Sequence, residues 1–167
     1  MALILNGDTG ITYPVATATG SATQASAGRV LQVVQGTNST QYSTTANTLS
    51  ATSITASITP SSTSSKILVL CAVSVYIGYT SSDYGCGLGI ARNGTLVFND
   101  ANGYNNFYTS IQVASANFRN RTPFNYLDSP SSTSSLAYTV YLSAYNGIAR
   151  VNTDNQNSTI ILMEISA

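Results

Sequence analysis

The sequence contains no histidine and no tryptophan, and it has few charged side chains of either sign. Without histidine the chain lacks the usual general base near neutral pH, the usual triad partner and the commonest zinc ligand. Charged residues make up 7% of the 167 residues, whereas a typical soluble domain carries about 25%. One Lys and five Arg, spread from Arg29 to Arg150, predict no basic patch and therefore no nucleic-acid partner. These absences exclude most familiar enzyme classes, and we expect neither a cofactor nor a bound metal.

Cysteines and long apolar runs are also scarce. Cys71 and Cys86 can form one disulfide at most, and their apolar neighbours predict free, buried thiols. The segment from Met1 to Leu5 has no basic residues, so we do not expect a signal peptide. The longest apolar run, Ile67 to Tyr79, is too short to span a bilayer, which needs about 20 residues. We therefore expect no membrane insertion.

Hydroxyl and amide side chains supply the polar surface instead, with 24 Ser, 22 Thr and 15 Asn. Ile54, Ala56 and Ile58 alternate with polar residues, which is the period-two pattern of a strand with one buried face. No stretch has helical spacing, so the sequence predicts one all-β domain. We expect about eight to ten strands, over Val30–Gln35, 54–58, Lys66–Tyr79, Cys86–Ala91, Thr95–Phe98, Phe107–Phe118, Leu136–Tyr145, Ile148–Asn152 and Thr159–Ile165.

Two Asn-Gly pairs lie between strand-like runs, where this dipeptide predicts a tight hairpin. The first is Asn93-Gly94, and the second is Asn146-Gly147. The hexapeptide Pro-Ser-Ser-Thr-Ser-Ser also occurs twice, beginning at Pro60 and at Pro130. Short hydroxyl side chains bond to nearby backbone in turns, so reuse of loop chemistry explains the repeat better than duplication does.

Several strands are apolar on both faces. In an antiparallel sandwich one face meets the core and the other usually meets water, so these strands leave apolar surface that a second subunit could cover. The sequence therefore predicts a closed homo-oligomer. The candidate interface residues are Leu68, Leu70, Tyr141 and Leu162.

Tyrosine and asparagine concentrate in one region of predicted loop tips. Tyr gives rigid amphipathic contact and Asn adaptable hydrogen bonds, which suits a recognition surface. Tyr is also a favoured strand residue, so half or more of these side chains could simply pack in the fold. The candidate receptor-binding residues are Tyr79, Tyr84, Tyr104, Asn105, Asn106 and Tyr108.

Residues 6 to 27 are rich in Gly, Thr, Ser and Ala, with few alternating apolar positions. Such a segment cannot form a core alone, so we expect an extended arm that is mobile or lies on another chain. The predicted division is an arm over residues 1–28 and a β-sandwich head over residues 29–167.

Three segments resemble small virion proteins of bacteriophages, particularly the tail fibres and related structural proteins of cyanophages. They are the segment 28–35 (GRVLQVVQ), the segment 57–69 (SITPSSTSSKILV) and the closing segment 158–165 (STIILMEI). The leading segment 5–11 (LNGDTGI) also resembles the amino-terminal segment by which such fibres join the particle.

The resemblance implies a jelly-roll-like antiparallel β-sandwich that is trimeric and not an enzyme. It implies a short tail fibre in the virion, assembled in the cytoplasm of the bacterial host. The head would bind a host surface glycan, and the arm would dock on a tail or baseplate protein. The candidate attachment residues are Leu3, Leu5, Ile11 and Tyr13.

Two other functions remain open at this point. One is a capsid decoration, cement or head-fibre protein whose loops recognise nothing. The other is a small glycan-cleaving enzyme, which needs two carboxylates within about 5 to 10 Å. The six acidic residues are each at least ten residues apart, so the sequence offers no local carboxylate pair for this chemistry.

Overall fold

The computed structural model describes residues 4–6, 10–12, 28–79, 84–99, 107–109 and 117–167. Most of these residues lie in β-strands, and no helix among them is long and apolar enough to cross a membrane. The one helical turn in these ranges is a 3-10 turn at Thr153–Asn155, which confirms the all-β prediction. The strands are β1 (Ile4–Asn6), β2 (Gly10–Thr12), β3 (Val30–Asn38), β4 (Tyr42–Thr44), β5 (Ser50–Ile58), β6 (Lys66–Tyr79), β7 (Tyr84–Arg92), β8 (Thr95–Asn99), β9 (Phe107–Thr109), β10 (Asn117–Asp128), β11 (Leu136–Tyr145), β12 (Gly147–Val151) and β13 (Ser158–Ile165).

From β3 onward, the strands form two antiparallel sheets. In the six-stranded sheet, β6 pairs with β10 along one edge and with β13 and then β12 along the other. Strand β3 lies beyond β13, and β4 lies beyond β12. The five-stranded sheet has the order β5-β11-β7-β8, and β9 also pairs with β7. Strand β6 is therefore the central strand of the larger sheet along its whole length.

The order of the eight main strands is that of a jelly roll. These strands are β3, β5, β6, β7, β8, β10, β11 and β13. Numbered one to eight along the chain, they follow the order 1-8-3-6 in one sheet and 2-7-4-5 in the other. Two interleaved Greek keys produce this arrangement. The expected jelly-roll-like antiparallel sandwich is thus confirmed.

The hydrophobic core lies between the two sheets. In β6 the odd-numbered residues from Ile67 to Ile77 point inward, and each is at most 4% exposed. In β11 the inward residues include Tyr138, Val140 and Leu142, none of which is exposed. Because successive side chains of a strand alternate between faces, the even-numbered residues of β6 lie on the outer face of the sheet.

The two cysteines belong to this core. Cys71 and Cys86 are 4% and 1% exposed and form no disulfide, as the sequence predicts. Burial raises the pKa of each thiol to about 12. Both thiols are therefore protonated at neutral pH and are poor nucleophiles.

One of the two predicted hairpins is present and the other is wrong. Asn93 and Gly94 have φ values of 49° and 83° and connect β7 to its partner β8, as a tight hairpin turn requires. Asn146 also has a positive φ of 49°, but β11 and β12 belong to different sheets. The chain turns a corner of the sandwich there, and Gly147 is already the first residue of β12.

Strand β10 differs from the sequence-based prediction, which ended a strand at Phe118. The strand instead begins at Asn117 and runs to Asp128, in register with β6 from Gly78 to Ile67. It contains Pro123, which has no N–H for a strand ladder and is therefore tolerated at the edge of a sheet. Among the described strands β10 pairs with β6 alone. The other edge of β10 therefore has no described strand partner that would need the N–H that Pro123 lacks.

A buried carboxylate organises the first copy of the repeated hexapeptide. Glu164 is 1% exposed, and its Oε1 accepts hydrogen bonds from the Ser61 N–H at 2.7 Å, the Ser61 hydroxyl at 2.6 Å and the Ser65 hydroxyl at 2.7 Å. Its Oε2 accepts a fourth, from Gln32 Nε2 at 2.6 Å. Burial acts to raise the pKa of Glu164, but these hydrogen bonds outweigh burial and lower the pKa to about 2.

The second copy of the hexapeptide shares one local hydrogen bond with the first, although Ser131 has a positive φ of 50° and the matching Ser61 does not. The Ser64 N–H donates to the Ser62 hydroxyl at 3.2 Å, and the Ser134 N–H donates to the Ser132 hydroxyl at 3.0 Å. These matching bonds agree with the reuse of turn chemistry expected from the sequence.

A second buried carboxylate joins the two sheets. Asp128, 5% exposed, ends β10, and its Oδ2 accepts hydrogen bonds from Arg92 Nη1 at 2.6 Å and from the Tyr138 hydroxyl at 2.7 Å. Burial, followed by the bond to Asp128, raises the pKa of Tyr138, so its hydroxyl remains a donor. The charge of this carboxylate is balanced by a direct ion pair.

The described part of the head closes at one corner. The Gly28 N–H donates to the Ser166 carbonyl at 2.8 Å, and the Ser166 N–H donates to the Arg29 carbonyl at 2.9 Å. The start of β3 and the end of β13 are therefore neighbours. In the amino-terminal segment, the backbones of β1 and β2 pair with each other, with Leu5 opposite Ile11. The division into an arm over 1–28 and a head over 29–167 remains a prediction.

Candidate functional site

The predicted receptor-binding residues fall into three groups in the structure. Tyr84 is 1% exposed and belongs to the core, so its assignment to a binding surface is wrong. Tyr79 ends β6 opposite Gly147, and Tyr108 lies in β9 opposite Gly85. The remaining three candidates, Tyr104, Asn105 and Asn106, lie outside the described residues.

The burial of Tyr84 has a signal in the sequence. It shares its parity with Cys86, Leu88 and Ile90, which are all buried on the inward face of β7. The residues between them are mostly glycine. A strand with bulky residues on one face and glycine on the other predicts that Tyr84 points with the bulky set, into the core.

The predicted interface residues do not form one surface. Leu68 and Leu70 lie on the outer face of the six-stranded sheet, whereas Tyr141 lies on the outer face of the five-stranded sheet, opposite Gly89. Leu162 is fully buried in the core, so its assignment to a subunit interface is wrong. Strand β13 is apolar at both parities, and only its register with β6 decides that Met163 rather than Leu162 faces outward.

The predicted attachment residues are described only in part. Leu5 and Ile11 lie opposite each other in the β1 and β2 ladder. Leu3 and Tyr13 lie outside the described residues. Their role in attachment stays a prediction.

The outer face of the six-stranded sheet carries a continuous apolar row near the corner where the head closes. Leu127, Leu68, Met163 and Val33 are aligned in register across four adjacent strands, β10, β6, β13 and β3. Leu127 and Val33, at the two ends of the row, are 49% and 56% exposed. We call these four residues the apolar row.

The apolar character fades along β6 toward the other end of the sheet. In the next row, Leu70 and Ile161 lie between the amides Asn125 and Gln35. The outer face thus changes from apolar to polar within a few residues of one strand.

Beyond these rows the outer face becomes basic. Arg119 and Arg150 lie directly opposite Tyr76 on its two neighbouring strands, and their guanidinium carbons are 5.4 and 5.0 Å from the centre of the tyrosine ring. Arg121 lies on the same face of β10, two residues after Arg119 and opposite Ser74. Three of the five arginines therefore share one surface, and the prediction of no basic patch is wrong.

The basic surface includes an open cleft with a volume of about 600 Å³. Two arginines and a set of small polar side chains form its walls. The lining residues are Ser74, Arg119, Asn120, Arg121, Asn155, Gln156 and Asn157. We call this the arginine cleft.

The loop that forms one wall of the arginine cleft is held by buried polar groups. Asn152, which is 1% exposed, donates its N–H to the Ser74 carbonyl at 3.1 Å and its Nδ2 to the Thr40 carbonyl at 3.1 Å. The Ser158 hydroxyl, fully buried, accepts the Ser74 N–H at 2.9 Å. Asn152, Asp154 and Asn155 have φ values of 56° to 58°, a region that Asn and Asp adopt more readily than most residues.

The charges of the arginine cleft are only partly compensated within the described residues. Arg119 pairs with Asp154, and both side chains are more than half exposed. Arg121 donates from Nη2 to the Asn157 carbonyl, which carries no charge. With Arg150 beside the cleft, three cations and one paired carboxylate leave a local charge of about +2 on a chain with net charge zero. This arrangement can bind oxyanions.

The acidic and thiol side chains of the described residues are spread apart in the fold. Among them, no group of three or more Cys, Asp or Glu side chains could hold a metal ion. The described outer face of the six-stranded sheet presents the apolar row at one end and the arginine cleft at the other.

Comparison with known proteins does not assign a family. No family profile matches the chain, and no curated protein matches it either. Among solved structures, the chain is similar to the VP2 subviral particle of infectious bursal disease virus, at 14% identity and a TM-score of 0.39, over 81% of this chain and 38% of that one. The T13 particle of the same virus gives 14% identity and a TM-score of 0.42, over 100% and 40% of the two chains.

A third similar structure is dimeric latent PorU from Porphyromonas gingivalis, at 12% identity and a TM-score of 0.34, over 85% of this chain and 14% of that chain. The chain thus spans about two fifths or less of the length of these proteins. Likenesses at TM-scores below 0.5 assign neither a family nor a function to this chain.

Proposed function

We propose that this chain is a bacteriophage virion structural protein, a short tail fibre that assembles as a homotrimer. Its head binds the host cell surface, its amino-terminal segment docks on the tail or baseplate, and it acts by binding rather than by catalysis. The observation that carries the proposal is the apolar row on the outer face of the six-stranded sheet. The sequence resemblance to phage fibre proteins supplies the biological setting.

The outer face of the six-stranded sheet differs from the outer face of edge strand β5 in a way that supports self-association. On β5, the outer face of the five-stranded sheet presents Ser53, Thr55 and Ser57, which water solvates well. The six-stranded sheet presents the apolar row instead. A contiguous exposed apolar patch marks an interaction surface. We therefore assign the apolar row to a subunit interface.

A second copy of the chain is the occupant that the charge balance favours. The formal net charge of the chain is zero, so copies do not repel one another at long range. A net charge near zero favours association, whereas a large net charge opposes it. Self-association around a closed axis buries the row in every subunit without open-ended growth.

The test of self-association is the mass of the purified chain at micromolar concentration, measured by light scattering. The variant Val33→Lys with Leu127→Lys places two charges on positions that are already exposed, so the isolated head tolerates them. We expect trimer mass for the wild type and monomer mass for this variant, with a circular dichroism spectrum that shows a folded β-sheet head and a lower urea midpoint, because association stabilises the folded trimer. The matched control, Ser57→Lys with Ser53→Lys on the other sheet, keeps trimer mass. A wild-type monomer contradicts the proposal.

The test of adsorption uses the same preparation, labelled with a fluorophore and mixed with candidate host cells. We expect saturable binding that free surface glycan competes away. A trimer that binds no host cells would instead favour a capsid decoration or connector protein. Release of reducing ends from host polysaccharide, abolished by a single Asp or Glu substitution, would replace the proposal with a glycan-cleaving enzyme.

The test of attachment is deletion of residues 2–27. The described contacts of the head begin at Gly28, which bonds to Ser166, so the shortened chain retains that corner. We expect it to fold and to form trimers but not to enter virions. Loss of the fold on deletion would show that the segment belongs to the core.

A further inference from the structure

We propose that the arginine cleft is a binding site for an acidic saccharide, held through its carboxylate or sulfate groups. This deepens the proposed function, on which it rests for the presence of a host glycan.

The first step of the argument is charge. Arg119, Arg121 and Arg150 lie on one face within three adjacent strands, and in the described residues one carboxylate, Asp154, pairs with them. Like charges placed near one another on a sheet are destabilising. An anion in the cleft relieves this repulsion, so a bound oxyanion is stabilised by the fold as it stands.

The second step is donor capacity. A guanidinium has five N–H donors in a planar fork that matches a carboxylate or a sulfate. The Asn157 carbonyl occupies one donor of Arg121, and Asp154 occupies one of Arg119. Further donors on both side chains are thus available to a ligand in the cleft.

The third step distinguishes a saccharide from a bare anion. The cleft volume of about 600 Å³ is within the range of about 300 to 1,000 Å³ that is typical of ligand pockets. Asn155, Gln156 and Asn157, on one wall of the cleft, carry amides, which both donate and accept hydrogen bonds. Sugar hydroxyls have the same dual character, so these amides complement the neutral part of an acidic saccharide.

The fourth step distinguishes a saccharide from a single-stranded nucleic acid. Binding of nucleobases relies on aromatic side chains on which the bases stack. The residues that line the cleft include no aromatic side chain, and the nearby Tyr76 ring already has two guanidinium groups against it. The described cleft therefore lacks a stacking platform.

The wall of the cleft is also preorganised. Asn152, Ser74 and Ser158, each at most 4% exposed, fix the loop that carries Asn155, Gln156 and Asn157. The Ser74 hydroxyl further donates to the Gln156 side chain. A ligand that binds here does not have to order this loop, which lowers the entropic cost of binding.

The experiment measures binding of the purified full chain by calorimetry at low salt. The probes are an oligogalacturonate, which carries carboxylates, a sulfated dextran oligomer and a neutral dextran oligomer. We expect the acidic probes to bind and the neutral one not to bind. Binding should weaken as salt rises, because exposed charges are screened.

Substitutions at the cleft then test the site itself. Removing one exposed charge should weaken binding by a factor of roughly 5. The double variant Arg121→Gln with Arg150→Gln removes two charges and should therefore weaken binding by more than about 10-fold. Asp154→Asn removes the competing carboxylate and should tighten binding by about 2- to 5-fold. The matched control is Arg29→Gln, an exposed arginine at the opposite end of the head, which should leave affinity unchanged.

Each alternative result overturns a specific claim. Equal weakening by Arg29→Gln would mean that net charge acts without a site. Equally tight binding of free sulfate or phosphate would mean a bare-anion site only. Unchanged host-cell adsorption by the double variant would refute the cleft as the receptor site while the proposed function stands. Absence of wild-type adsorption would refute the proposed function itself.

Discussion

The substitution Glu164→Gln tests how the buried carboxylate stabilises the head. Gln keeps the size of the side chain but loses its charge. The four groups that donate hydrogen bonds to the Glu164 carboxylate would then face a neutral amide. Hydrogen bonds to a charged group are worth more than neutral ones. A fall of the pKa from 4.5 to about 2 corresponds to on the order of 3 kcal/mol of folding free energy at pH 7.

The pH dependence of this loss has a definite sign. Because folding lowers the pKa of Glu164, its stabilisation is complete well above 4.5 and is lost as the pH falls from there toward 2. The same linkage leaves about 1.4 kcal/mol of the difference between wild type and Glu164→Gln at pH 3. Other carboxylates titrate in both proteins and cancel in the difference.

The assay is urea unfolding of both proteins at pH 7 and pH 3. With an m value of about 2 kcal/mol per molar urea, the midpoints should differ by roughly 1.5 M at pH 7 and by less than half of that at pH 3. The control Asp154→Asn, at an exposed carboxylate, should shift the midpoint by far less. A difference for Glu164→Gln that stays the same at both pH values would refute this account.

Three further predictions concern the core. Cys71 and Cys86, whose pKa burial raises to about 12, should not react with a thiol reagent at pH 7.5 until urea unfolds the chain; fast labelling of the native protein would contradict their burial. Gly36→Ala would place Cβ 2.3 Å from the Thr55 carbonyl oxygen, so the urea midpoint should fall by the equivalent of more than about 2 kcal/mol, and a normal midpoint would contradict that close approach. Tyr138→Phe removes one hydrogen bond to a buried carboxylate and should cost about 1 to 2 kcal/mol in the same assay, whereas an unchanged midpoint would show that this bond contributes nothing.

The features that the sequence could predict are those that depend on local pattern. Alternation in β5, the positive φ required at Asn93 and Gly94, and the burial of both cysteines follow from short-range chemistry. Asn146 has the same local geometry as Asn93. The neighbouring strands there pair with different sheets, a long-range fact that the dipeptide cannot encode.

The arginine cleft also depends on long-range strand pairing, so the local sequence pattern could not predict it. Tyr76, Arg119 and Arg150 are tens of residues apart in the chain and become neighbours through the register of β6 with β10 and β12. Leu162 and Met163 show the problem at its smallest scale, because both are apolar and a one-residue change of register exchanges the core face with the outer face.

The joined corner of the head has a mechanical consequence. Gly28 and Ser166 are bonded neighbours at the end where β6 begins, whereas Tyr76 lies ten residues along that strand, roughly 34 Å away. Force applied between Gly28 and Ser166 would open β3 from β13 one hydrogen bond at a time. Force applied between Gly28 and a ligand in the arginine cleft would instead run along the strands and load many hydrogen bonds in parallel. A head tethered at that corner and held at the cleft would therefore resist pulling far better than one pulled between Gly28 and Ser166.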